Sequence, residues 1–162
     1  MKLAQTGPLS LGLGVVAAAC LGFSGYVHLD LSDFYSHNPT GSISQQAIFI
    51  IQGIAVIALG IALLAAVTLQ PAKVQVLLFA VVGVTLLGSL GAVVFSYYNH
   101  TDFLGLPDMY EHTWDTPNKT ASAIIEGAGG LVALVGAGVT RIAGRTAGGH
   151  AHRRISEGSA AG

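Results

Sequence analysis

The sequence predicts an all-α fold, a four-helix transmembrane bundle with N-terminus and C-terminus both cytoplasmic. Three observations lead there. Of the 162 residues, 52% are hydrophobic and only 9% are charged, whereas an average soluble domain is about a quarter charged. Four apolar stretches reach the roughly 20 residues needed to cross the hydrocarbon core of a bilayer. The bases are also sorted. Lys2, Lys73, Arg141, Arg145, Arg153 and Arg154 fall on one set of ends and connections, and Lys119 alone falls on the other. The acids Asp30, Asp33, Asp102, Asp108, Glu111 and Asp115 gather where the bases are missing. Basic loops stay cytoplasmic, so this sorting orients the chain in a plasma membrane.

The first span covers about 9–27. Lys2, the apolar run and Ala17-Ala18-Ala19-Cys20 loosely resemble a secretory or lipoprotein signal. A single lysine and an apolar run that continues past Cys20 to Val27 favour a retained span instead. The second span covers about 46–69 and the third about 74–98, joined by Gln70, Pro71, Ala72 and Lys73. A residue before proline is pushed out of the helical region, so the break falls near Gln70. The fourth span covers about 121–140.

The other connections, 28–45 and 99–120, are longer and acidic and would face outward. Tyr26, Tyr35, Tyr97, Tyr98, Tyr110 and Trp114 would then sit at the outer interface, where amphipathic rings are favoured. Asp108, after Pro107, would cap a short helical turn through Trp114, forming a lid suited to docking another subunit. Residues 1–143 thus form the membrane domain. Residues 144–162 form a basic cytoplasmic tail without apolar periodicity, expected to be disordered. Its Arg153 and Arg154, with Arg141 and Arg145, would fix topology and are candidates for holding anionic lipid headgroups.

Several function classes are excluded or disfavoured. The basic surface that nucleic-acid binding requires is missing. One cysteine, Cys20, excludes an internal disulfide and a Cys-rich metal site. There is no GxSxG, Walker A or dinucleotide fingerprint. Gly127, Gly129 and Gly130 read as packing glycines, because small residues let membrane helices approach. The expectation is a protein that is not an enzyme and carries no cofactor.

Glu126 is the residue that stands out. It lies about 8 Å inside the fourth span at 1.5 Å per residue. An ionisable group at that depth costs at least a few kcal/mol unless it faces protein or water. Ala123, Gly130, Ala133 and Ala137 share its face, and small-residue stripes are helix-contact faces in membranes. Glu126 should therefore face the bundle interior. The third span carries a weakly polar stripe of Thr85, Ser89, Ala92 and Ser96. An intramembrane polar cluster of Glu126, Gln52, Ser96 and His28 is expected in the outer third. It could hold helices together, since unsatisfied polar groups in hydrocarbon are costly. It could also be a proton or cation site, or contact a ligand headgroup or quinone.

The outward segments offer a second candidate, an outer-face metal site of His28, His37, His100, Glu111 and His112, since imidazole and carboxylate suit several divalent metals. No HExxH and no His pair at i, i+4 appears, so a solvated acidic loop is the better reading. Asn99-His100-Thr101 and Asn118-Lys119-Thr120 are formal glycosylation sequons on the same side.

The run Gly25-Tyr26-Val27-His28-Leu29-Asp30-Leu31, then Tyr35, then Pro39-Thr40 and an apolar span, resembles small four-span membrane proteins of high-GC Gram-positive bacteria. Glu126 in the last span fits that resemblance. The resemblance implies a bacterial plasma membrane and no particular activity.

The leading functional expectation is a non-catalytic accessory or scaffolding subunit of a membrane complex. Its partners would be the lipid bilayer and other membrane subunits or itself. The rival is a small proton- or cation-coupled transporter using Glu126. Against it, the fourth span offers only Gly, Ala, Val and Leu from 127 to 139, so no continuous polar path is visible. A haem or quinone site at the outer face, using His28 with His100 or His112, is a third expectation.

Overall fold

The computed structural model describes residues 7–37, 44–98, 110, 113–114 and 118–159, with side chains in the last helix described as far as Thr146. The described residues form four long helices: α1 (Pro8–Phe34), α2 (Gln45–Leu69), α3 (Ala72–Tyr98) and α4 (Lys119–Ser159), with a 3-10 turn at Tyr35–His37 after α1. Each is long and apolar enough to cross a membrane, in α4 over Lys119–Thr146. The expected all-helical architecture and the number of spans are therefore present.

The helix ends follow local chemistry. Pro8 opens α1 behind Gly7, where a fixed φ and a missing N–H cost nothing. Ser44 caps α2, its Oγ accepting the Ala47 N–H at 3.2 Å. Helix α2 stops at Gln70, which is extended because Pro71 follows it. The freed Gln70 carbonyl accepts the Gln75 side-chain amide at 2.7 Å. Asn118 precedes α4 with φ 61°, a left-handed conformation that asparagine tolerates better than most residues. Its carbonyl accepts the Ser122 N–H at 2.8 Å.

Two boundaries differ from expectation. Helix α1 does not end near residue 27 but runs on to Phe34. His28, Asp30 and Asp33 therefore ride on its last turns rather than in a loop. Leu31 keeps an apolar contact on the buried side while Asp30 and Asp33 point outward, so the turns can continue without burying charge. The backbone of α4 runs past Thr140 to Ser159, through the segment expected to be unfolded. Helix-compatible Ala, Arg and Ser between its glycines allow this. The expected lid turn falls largely outside the described residues; Trp114 itself occupies a bend.

Neighbouring helices run antiparallel. Helix α1 lies chiefly against α2, and α3 against α4, with α1 also packed along α4. Close backbone approach at glycines fixes the register. A Cβ at Gly25 would lie 2.9 Å from the Gly53 carbonyl oxygen, and one at Gly83 would lie 3.3 Å from that of Gly130. Small residues at such crossings let helices gain dispersion contacts in a solvent that offers no hydrophobic driving force.

The core of Ala17, Leu21, Val56, Leu63, Val67, Phe79, Val82, Leu86 and Ala133 fills the middle of the bundle. Toward the end where α1 starts, a buried Thr140 hydroxyl donates to Ser10 at 3.0 Å. That pairing puts the start of α1 and the far part of α4 at one end of the bundle. Large apolar side chains such as Ile51, Ile61, Leu77, Val84, Ile124 and Leu131 point outward, while Ser24, Gln75, Ser89 and Glu126 are buried. This inversion of the soluble pattern is what a hydrocarbon solvent demands.

Candidate functional site

A polar centre sits above the apolar core, toward the end of the bundle where α4 begins. Glu126 lies about two turns into α4, roughly 10 Å from its start, and is 0% exposed. Its helix face carries Ser122, Ala123, Gly130 and Ala133, all buried. Being small, they bring α1 and α3 close enough for short side chains to reach the carboxyl group.

Three serine hydroxyls donate to one oxygen of Glu126, Oε1: Ser24 from α1 at 2.7 Å, Ser89 from α3 at 2.9 Å, and Ser122 from α4 itself at 3.1 Å. A second layer of donors stands behind the serines. Gln52 of α2 donates its Nε2–H to Ser89 Oγ at 2.9 Å. His28 Nδ1 is 2.7 Å from the Ser24 carbonyl oxygen and 3.5 Å from Ser24 Oγ. A carbonyl can only accept, so Nδ1 carries the hydrogen. All four helices thus contribute; the three hydroxyl hydrogens point to Glu126 and the Gln52 amide hydrogen to Ser89, while the His28 hydrogen goes to the Ser24 backbone carbonyl. Such aligned chains polarise one another and strengthen in a low dielectric. The other carboxyl oxygen, Oε2, is buried without a hydrogen-bond partner.

Aromatic rings cluster at the same end of the bundle. His28 lies against Phe49 at 5.5 Å between centroids, and Phe49 stacks on Tyr35 at 4.9 Å. On the α3–α4 side, Tyr97 lies 5.9 Å from Trp114. Lys119 Nζ sits 5.4 Å over the Trp114 ring and donates to the Thr113 carbonyl at 2.9 Å. Below the polar centre, Leu21, Leu86, Val82, Phe79 and Leu63 are 0% exposed.

No known family model, curated protein or solved structure matches the chain. Its function has to be argued from this geometry.

Of the expected cluster, Glu126, Gln52 and His28 come together, the latter two through a serine. Ser96 does not join them. Its hydroxyl turns back onto the Val93 carbonyl of its own helix at 2.8 Å. The α3–α4 register places Ser89, not Ser96, level with Glu126, since Ser96 lies about two turns nearer the Tyr98 end of α3. Sequence reasoning passed over Ser24 and Ser122, although each sits four residues before a noted polar residue (His28 and Glu126) and so shares its face.

The expected outer-face metal set is not assembled among the described residues, which contain no cluster of three His, Cys, Asp or Glu. His28 is committed inward. His37 closes the 3-10 turn, and His100, Glu111 and His112 lie outside the described residues. Arg141 and Arg145 are exposed on α4, and Arg153 and Arg154 lie on its helical continuation.

Proposed function

We propose that the chain is a non-catalytic accessory or scaffolding subunit of a membrane complex, and that its polar centre holds its own helices together. One observation carries this reading. Glu126 gathers hydrogen bonds from three helices directly and from the fourth through Gln52, while the section beneath it is filled by side chains such as Leu21, Phe79 and Leu86. A carrier needs a polar site with a path near the bilayer midplane, and these apolar residues occupy that place. The outward-facing apolar surface suits lipid or a neighbouring subunit.

Two results are expected. In liposomes, proton and cation flux through the reconstituted protein equals that of protein-free vesicles, and Glu126→Gln changes nothing. Extracted from native membranes in mild detergent, the protein migrates with a larger complex. Flux that Glu126→Gln abolishes would favour the carrier instead, and recovery only as a free monomer would remove the accessory role.

We further infer a bacterial plasma membrane with both ends of the chain in the cytoplasm. Support comes from the bases: Lys73 and Arg141 sit at the end of the bundle where α1 begins. A membrane-impermeant thiol reagent applied to intact cells should label a cysteine placed at Tyr98 but not one placed at Lys73. The reverse pattern would invert the orientation.

A further inference from the structure

We propose that the Glu126 centre binds one dehydrated alkali cation of the sodium class, held by Oε2 and the serine oxygens gathered around the same carboxyl group. The inference rests on reading this centre as structural rather than conducting.

The starting observation is the mismatch between the two carboxyl oxygens. Oε1 takes three hydroxyl donors at 2.7, 2.9 and 3.1 Å. Oε2, equally buried, takes none. Oε1 draws three hydroxyl donors, one of which, Ser89, is itself backed by Gln52, the arrangement of charge-assisted hydrogen bonds to a carboxylate oxygen. A proton placed on Oε2 would be a buried donor with no acceptor.

The negative charge has no protein counter-ion among the described residues. Lys119, the nearest basic residue along α4, is engaged with the Thr113 carbonyl and the Trp114 ring. An uncompensated charge at this depth is unfavourable, so something positive belongs beside Oε2. Hydroxyl oxygens can donate to Oε1 and still offer lone pairs. Ser24, Ser89 and Ser122 therefore supply three neutral oxygens and Glu126 one charged oxygen. A set of hard oxygen ligands selects hard cations over metals that prefer nitrogen or sulfur. A single carboxylate neutralises a monovalent ion, whereas a divalent ion would leave net positive charge buried in hydrocarbon.

The test is thermal unfolding of the intact protein in detergent at constant pH and ionic strength, exchanging N-methylglucamine chloride for sodium chloride. The unfolding midpoint should rise with sodium. Above the dissociation constant, each tenfold rise in sodium should multiply the folded-to-unfolded ratio about tenfold. Glu126→Gln should remove the dependence and Ser122→Ala should weaken it. As a readout that needs no variant, sodium should slow modification of Glu126 by a hydrophobic carbodiimide, while N-methylglucamine should not. Equal midpoints in the two salts, a sodium dependence retained by Glu126→Gln, or carbodiimide labelling indifferent to sodium would each overturn the proposal. Ion flux in liposomes is a separate measurement, so loss of the structural reading and loss of the ion are distinguishable.

Discussion

Glu126→Ala is expected to lower the stability of the bundle by about 3 kcal/mol. The figure has two parts. Hydrogen bonds between membrane helices contribute about 0.6 kcal/mol each on average, and the two from Ser24 and Ser89, with the Ser122 bond inside α4 taken as similar, make about 2 kcal/mol. Truncation also opens a cavity in a fully buried position, which adds roughly 1 kcal/mol when neighbours relax only in part.

The hydroxyls of Ser24, Ser89 and Ser122 would then turn onto the carbonyls of their own helices, as Ser96 and Ser32 already do. That rescue keeps the loss from growing further. Glu126→Gln keeps the volume and an acceptor oxygen, and should lose only about 1 kcal/mol. Non-additivity provides a second check: Ser24→Ala should cost much less in the Glu126→Ala background than alone, because both act on one network. Unfolding by SDS titration at fixed salt measures all four variants. A Glu126→Ala protein within about 0.5 kcal/mol of wild type would show that the network is not what holds the helices.

Gly25→Val is expected to be about as damaging, near 3 kcal/mol, at the upper end of the range for overpacking. A Cβ at Gly25 would sit 2.5 Å from Ile57 Cγ1 and 2.9 Å from the Gly53 carbonyl oxygen. The isoleucine can rotate away, but the backbone of α2 cannot, so the two helices must separate. The better helix propensity of valine over glycine offsets only a few tenths of a kcal/mol.

The consequence extends beyond packing. Ser24 and His28 are next to and one turn beyond Gly25 on α1, so separating α1 from α2 shifts Ser24 relative to Glu126. Gly22 is the internal control, since nothing lies within 4 Å of the place a Cβ would take there. Gly22→Val should stay within about 0.5 kcal/mol of wild type. Equal effects at Gly22 and Gly25 would mean that helix propensity, not the α1–α2 crossing, governs both.

Much of this arrangement was legible from the residues alone. The stripe Ala123, Gly130 and Ala133 correctly turned Glu126 inward, because a helix face is a local property with a fixed period. The helix break at Gln70 followed from Pro71 by local sterics. Polar residues after Val27 do not end α1, which runs on to Phe34. His28 is buried at the bundle and the two aspartates are on the outer side, so polar residues and continued helix coexist there. For a related reason, the sequence does not separate Ser96 from Ser89. A membrane serine can satisfy its hydroxyl on its own backbone, so its presence on an apolar helix does not reveal whether it has a partner across the bundle.

Hydropathy and the placement of proline and charge are properties of segments. They therefore determined, without any tertiary information, four helices for a bilayer and one carboxyl group turned away from lipid. Which hydroxyls meet that carboxyl group depends on the register between antiparallel helices, to within a single turn. That register is set where Gly25 meets Gly53 and Gly83 meets Gly130, contacts between residues far apart in the chain. Ser122 reaches that carboxyl group within α4, but only the packed bundle could bring Ser24 and Ser89 to the same oxygen and leave the other bare.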